Sequence, residues 1–157
     1  LVEVIRGKAT SDATLAQAGV ADLFVATAAV ADWRPRAAAE HKIKKDGSGQ
    51  TPQLQFSENP DILATVAGLP RAQQGALVCV GFAAESQDLL ANAQAKRKRK
   101  GVPLLVGNIG PATFGQDDNA LLLVSADGVQ ELARAPKLTL ARALIETCAG
   151  LLPASLR

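Results

Sequence analysis

The chain has 157 residues, 48% hydrophobic and 20% charged, with a formal charge of +2. That length suits one domain with a real core, and the composition excludes a chain that is disordered throughout. The net charge is too near zero to point to nucleic acid or membrane by itself, although the positive residues are clustered.

Leu1-Val2-Glu3-Val4-Ile5 opens as a short β-type run, without an initiator Met or a leading polar tail. Glu3 and Arg6 interrupt it, so it does not read as a signal peptide, and no apolar run nears the about 18 residues a membrane helix needs. Asp12 to Ala18 favours a helix stopped at Gly19. Asp22 to Val30 begins as a nearly unbroken apolar run, the pattern of a strand buried on both faces. From Arg34 to Gln53 the apolar content gives way to charge, Gly and Pro, which predicts a mobile lysine-rich flap. Leu54 and Phe56 alternate with polar residues as in a half-buried strand, and Asn59-Pro60-Asp61 starts a short helix to Ala67.

Leu77 to Phe82 predicts a second buried strand, followed by a polar helical segment, Ser86 to Lys100, stopped by Gly101 and Pro103. Leu104 to Val106 gives a third strand ending at Gly107-Asn108. Ala120 to Ser125 and Val129 to Leu132, split by Asp127-Gly128, form a hairpin, and Lys137 to Leu152 closes the chain as an apolar-striped helix. The alternation predicts an α/β Rossmann-like fold of three layers, with a mostly parallel sheet and a C-terminal antiparallel hairpin.

In such sheets ligands bind beyond the carboxyl ends of the strands, which directs attention to Thr27 to Asp32, Phe82 to Glu85 and Gly107 to Ile109. Small residues at Ala26, Ala28, Ala29, Ala31, Ala83 and Ala84 either admit a flat ring, with Phe82 as a stacking face, or serve tight helix–sheet packing. Asp32 can hold Mg²⁺ against phosphate oxygens or cap a turn. Lys42, in a Gly-containing loop with Lys44 and Lys45, offers a point charge to a polyphosphate or simply faces solvent. Lys96 to Lys100 is an unbroken basic run. On a helix these side chains spread around the axis, with Lys96 and Lys100 sharing one face, and 3% aromatic residues leave little for base stacking, so nucleic acid is disfavoured. Cys79 and Cys148 lie in apolar segments, and the single histidine, His41, stands among lysines, which argues against zinc and against a disulfide scaffold. No covalent nucleophile stands in a recognised context, and no complete dinucleotide or P-loop fingerprint occurs. The residues themselves point to a nucleotide or phosphate binder.

The order of the segments is more specific. Ala28-Ala29-Val30-Ala31-Asp32-Trp33-Arg34-Pro35, Lys42-Ile43-Lys44-Lys45, Glu58-Asn59-Pro60-Asp61-Ile62-Leu63, Val80-Gly81-Phe82-Ala83-Ala84-Glu85, the Lys96–Lys100 run, Asn108 and Phe114-Gly115-Gln116-Asp117-Asp118-Asn119 together resemble the bacterial phosphopantothenate-cysteine ligases of coenzyme A biosynthesis. The match runs from about Ala21 to the C-terminus. The resemblance implies a cytoplasmic ligase domain over residues 1–157 that uses CTP with Mg²⁺ or Mn²⁺ to join 4′-phosphopantothenate to cysteine through an acyl-cytidylate. It implies that Lys42 contacts the triphosphate and promotes the first step, that Ala28 and Asp32 lie on the nucleotide side with Asp32 toward the metal, and that Ser57, Glu58, Asn59 and Pro60 line the nucleotide pocket. Phe82 would pack at the base or ribose, and Lys96 and Lys100 would reach the phosphates. The Asn-Pro-Asp-Ile-Leu form resembles the CTP-using bacterial branch rather than the ATP-using one.

The family forms homodimers and is usually fused to an FMN-dependent decarboxylase, to which no segment here is similar. The family's opening strand, Gly-rich loop and asparagine segment have no counterpart, so the chain is expected to bind nucleotide without completing catalysis. The competing expectation is a non-catalytic nucleotide-binding or assembly module, whose Lys42 loop would be indifferent to nucleotide and Mg²⁺.

Overall fold

The computed structural model describes residues 11–156 except 28–29, 38–40, 42–43, 45–46, 48, 50, 52, 86 and 110–114. The opening β-type run, Ala28, Lys42 and Phe114 therefore lie outside the described residues, as does most of the Lys42–Lys45 flap. The chain divides into two compact units, a larger one of residues 1–27 and 62–157 and a smaller one of residues 28–61.

The larger unit is built on Leu77-Val78-Cys79-Val80, all buried, at the start of an inner strand of its sheet. Helix α1 (Ser11–Ala18), strand β1 (Leu23–Ala26), helices α2 (Ile62–Ala67) and α3 (Pro70–Gln73), β4 (Val78–Glu85), α4 (Leu89–Lys100), β5 (Leu104–Ile109), the hairpin β6 (Asp118–Val124) and β7 (Val129–Pro136), and α5 (Lys137–Leu151) follow in chain order. Strands β2 (Trp33–Pro35) and β3 (Phe56–Glu58) belong to the smaller unit. The main sheet has the order β1-β4-β5-β6-β7. Its first three strands are parallel, with Leu23 opposite Val78 and Val80 opposite Leu104, and the last two are antiparallel.

Side-chain alternation along β4 builds two cores, as the period-two geometry of a strand requires. Cys79 and Ala83 join Leu105, Leu122 and Val124 under α1, α2 and α4, with Val66, Ala67 and Ala93 facing inward. Val78 and Val80 join Leu104, Val106 and Leu123 on the other face, where α5 contributes Leu144 and Cys148. The expected α/β fold of three layers, with a mostly parallel central sheet and a C-terminal hairpin, is the observed one.

Local chemistry sets the ends of these elements. Gly101 stops α4 in the left-handed region (φ 66°), where a residue without Cβ carries no steric cost, and its N–H bonds Lys98 O at 3.2 Å. The β6–β7 turn closes with Ser125 N–H to Gly128 O at 2.9 Å. Arg71 ties the amino ends of β1 and β4 together. Its Nη2 donates to the Asp22 carboxylate at 3.2 Å and to Ala76 O at 3.1 Å, and its Nη1 donates to Gly19 O at 3.4 Å.

Three expectations are corrected. The Asp22–Val30 run is shorter as a strand than its apolar length suggests: β1 spans four half-buried residues, Leu23–Ala26, with Leu23 and Val25 packed against one core and Phe24 against the other. Arg34 to Gln53 does not begin as loop, since Trp33–Pro35 pairs antiparallel with Phe56–Glu58, Trp33 opposite Glu58 and Pro35 opposite Phe56. Leu54 and Phe56 are not half-buried but 55% and 56% exposed, because the two-stranded ribbon of the smaller unit carries no core of its own on that side.

Candidate functional site

At the carboxyl ends of the parallel strands, β4 and β5 pair Phe82 with Val106 and Ala84 with Asn108, which places these four residues on the α5 face of the sheet. Phe82 is half-buried against that core and Ala84 beyond it is exposed, so one side of the ring is supported while its neighbour leaves open surface. The small residues serve packing as well. An alanine Cβ at Gly81 would stand 2.5 Å from Leu63 Cδ2, and one at Gly107 would stand 2.9 Å from Leu89 Cδ1. Ala83 is buried beneath the helices.

The basic run is not uniform around its helix. Lys98 and Arg99 are exposed, whereas Lys96, Arg97 and Lys100 are half-buried, and Arg97 Nη1 donates to Val102 O at 3.3 Å. Helix α4 packs on the face opposite Phe82. Leu89, its first residue, meets Gly107 near the carboxyl end of β5, and its last turn leads back to the start of that strand. At about 1.5 Å per residue, Lys96 and Lys100 lie along the half of the helix that runs away from the carboxyl ends. A cleft of about 530 Å³ at the amino end of β4, lined by Gln73, Leu77, Cys79, Arg97, Lys98 and Leu151 among others, marks the opposite edge of the sheet from Phe82 and Ala84.

The smaller unit gathers the remaining described residues of the expected site. Asn59 N–H donates to Asp32 O at 2.8 Å, and its side-chain Nδ2 donates to Ala31 O at 2.6 Å. Arg34 Nη1 donates to Asn59 Oδ1 at 2.8 Å and to Glu58 O at 3.1 Å, while Ser57 is the cross-strand partner of Arg34. Asp32 and the Ser57–Pro60 segment are thus fastened together. Asn59 makes the joining bonds, and Arg34, which the sequence placed in a motif without assigning it work, holds the Asn59 side chain; no pattern in linear order shows this, because the two residues are 25 positions apart.

Among the described residues no group of three His, Cys, Asp or Glu side chains could hold a metal ion. The exposed Asp32 carboxylate still suits Mg²⁺, which keeps most of its waters and is held by one or two carboxylates together with substrate phosphates. Both cysteines are buried free thiols, and burial raises each above its usual range, Cys79 to about 11. Such thiols are inert at neutral pH. Among the described residues no helix is long and apolar enough to cross a membrane.

Comparison with known proteins agrees with this architecture. Residues 1–151 match the family model of the DNA/pantothenate metabolism flavoprotein C-terminal domain. The chain is 37% identical over 147 residues to the coenzyme A biosynthesis bifunctional protein CoaBC of Vibrio cholerae, covering 92% of this chain and 36% of that protein. It is 33% identical to the Bacillus subtilis protein of the same name (89% and 34% covered) and 40% identical to that of Mycobacterium bovis (83% and 33% covered). The chain therefore spans about a third of the length of these curated relatives. Among solved structures, the C-terminal domain of a coenzyme A biosynthesis bifunctional protein CoaBC superposes with a TM-score of 0.66 at 24% identity, over 88% of this chain and 58% of that one. The DNA/pantothenate metabolism flavoprotein of Streptococcus pneumoniae superposes with a TM-score of 0.65 at 14% identity, over 87% and 66%. With the sheet order, the paired strand ends and the matched residues in agreement, the chain belongs to the DNA/pantothenate metabolism flavoprotein C-terminal domain family.

Proposed function

We propose that this chain is a CTP-dependent ligase domain acting in the cytoplasm in coenzyme A biosynthesis, joining 4′-phosphopantothenate to cysteine. The observation that carries the reading is the hydrogen-bonded set around Asn59, which fastens Asp32 to Ser57–Pro60 and so gathers two sequence-distant motifs of the expected nucleotide site. The identity to bifunctional coenzyme A biosynthesis proteins supports the same reading, and the fold is shared with a Cab2 mutant solved in complex with phosphopantothenate-cysteine.

In the first step a carboxylate oxygen of the substrate forms a bond to the α-phosphorus of CTP, and the bond to the β-phosphate oxygen breaks, releasing pyrophosphate. In the second the cysteine amine attacks the activated carbonyl carbon, CMP leaves and the amine gives up a proton. No protein nucleophile is required, since the mixed anhydride is itself the activated acyl group. Lys42 neutralises the charge moving onto the departing pyrophosphate. Ala28 and Ser57–Pro60 shape the nucleotide pocket and Phe82 packs at the base or ribose, whereas Lys96 and Lys100, expected at the phosphates, lie on the sheet face opposite Phe82 and toward the amino ends of the strands, and are given no phosphate contact. Asp32 would hold Mg²⁺ or Mn²⁺, whose chemistry when bound is charge neutralisation on the triphosphate. The exposed apolar residues of the β2–β3 ribbon support homodimerisation, and the bifunctional relatives support fusion to, or association with, an FMN-dependent decarboxylase.

A thermal-shift titration with CTP, ATP, UTP and GTP, each with Mg²⁺, tests the reading. A ligand at about 100 times its Kd adds about 2.7 kcal/mol of stability. Stabilisation selective for CTP is expected, and it should weaken in Phe82→Ala. Equal shifts with all four nucleotides, or none, would count against the assignment.

A further inference from the structure

Asn59 follows directly on β3, and its polar groups turn toward the segment that enters β2. Its backbone N–H reaches Asp32 O at 2.8 Å, Nδ2 reaches Ala31 O at 2.6 Å, and Oδ1 accepts from Arg34 Nη1 at 2.8 Å across 25 residues of chain. The same Arg34 nitrogen donates to Glu58 O at 3.1 Å. The ribbon these bonds close has only three residue pairs, all its strand residues but Ser57 are exposed, and so short a two-stranded ribbon is marginal by itself in water.

We propose that Arg34 and Asn59 are a positioning pair: they set the arrangement of the Asp32 carboxylate and the Ser57–Pro60 segment for the nucleotide, and their own side chains act on protein rather than on ligand. The inference rests on the functional reading above and deepens it. Two acceptors, Glu58 O and Asn59 Oδ1, draw on the two N–H bonds of one guanidinium nitrogen, Nη1, whose directions are fixed by the plane of the group; a lysine ammonium carries enough donors for both but not that fixed geometry. Asn59 must donate to Ala31 O and accept from Arg34 at once. An aspartate keeps the second bond, loses the first, and turns a negative oxygen toward the Ala31 carbonyl.

Two measurements on the full chain test the pair. Amide hydrogen exchange by NMR follows the Asn59 N–H in Arg34→Ala and Arg34→Lys, with core amides of β4 as the reference for global folding. Affinity for CTP with Mg²⁺ is measured in Arg34→Ala, Asn59→Ala and the double variant. The expected result is faster exchange at Asn59 in Arg34→Ala with unchanged exchange in β4 and partial recovery in Arg34→Lys. Each single variant should weaken CTP about tenfold, and the double variant should be little worse than the weaker single one, because the two act as one unit. Unchanged exchange at Asn59, or losses that multiply in the double variant, would overturn the proposal, since independent contacts with nucleotide multiply. Faster exchange in a protein whose unaltered form binds no nucleotide would leave the clamp standing and remove the functional reading instead.

Discussion

Leu63 lies so close over Gly81 that a methyl group on the glycine would meet Leu63 Cδ2 at 2.5 Å on one side and Leu105 Cδ1 at 2.9 Å on the other. Helix α2 seats directly on the backbone of β4 there, and the glycine of the Val80-Gly81-Phe82 segment is explained by packing before any ligand is considered. Gly81→Ala should cost about 2 kcal/mol in urea unfolding, the usual scale of overpacking. The truncation Leu63→Ala in the same background should return part of that loss, because it removes one of the two clashing groups. An unaltered stability in Gly81→Ala would mean that the ends of the Leu63 and Leu105 side chains turn aside to admit the methyl group.

Lys42 is proposed to meet the triphosphate, so its removal should discriminate among nucleotides by phosphate number. Lys42→Ala should weaken CTP about tenfold and CMP less than about twofold in calorimetric titrations, the loss expected for one charge-assisted bond. Equal losses for CTP and CMP would move Lys42 away from the β- and γ-phosphates.

The buried thiols give the fold an alkaline weakness. Burial raises Cys79 from its ordinary value of 9.0 to about 11, so the native state holds a proton that the unfolded chain releases earlier. Stability therefore falls as pH rises between those two values and is unaffected by this group below them. Cys148 is raised in the same direction by the same cause. Denaturation from pH 7 to 10.5 should show this decline, and Cys79→Val should flatten it in part, with the remainder disappearing in a double variant with Cys148→Val. An identical decline in both variants would assign the alkaline loss to other groups.

The β2–β3 ribbon carries Trp33, 60% exposed, and Phe56 on one face by alternation across the pairs Trp33–Glu58 and Pro35–Phe56. If this face closes a homodimer, Phe56→Glu should weaken self-association at least about tenfold by sedimentation, the loss expected when a central aromatic contact is replaced by a charge. Circular dichroism should stay the same. A monomeric unaltered chain would remove the face from consideration as a self-association surface.

Local patterns were enough for most of the larger unit. Four consecutive buried residues announced β4, Asp127-Gly128 announced the hairpin, and Gly101 announced the end of α4, because each feature acts within a few residues of itself. Strand β2 was not legible: Trp33-Arg34-Pro35 shows no alternation and contains a proline, and only the pairing with Phe56–Glu58, more than 20 residues on, makes it a strand. The four-residue helix α3 is likewise too short to carry a period. Among the expected site residues, Asp32 and Asn59 in the smaller unit and Phe82 in the larger one stood out by motif. The uneven burial of the Lys96–Lys100 run did not, since a helix with so few apolar residues offers no stripe from which to read its inward face. Arg34 was silent for the reason β2 was, its role being set by a partner distant in the chain.

The staple that Arg71 makes at the amino ends of β1 and β4 gives this parallel pair a direction. Three bonds from one guanidinium hold Gly19, Asp22 and Ala76 together beside the amino ends of the pair, and none of them reaches the end at Ala26 and Gly81. Open α/β sheets receive their ligands at the carboxyl ends of their strands, so this tether fixes the pair without occupying the end left for a ligand.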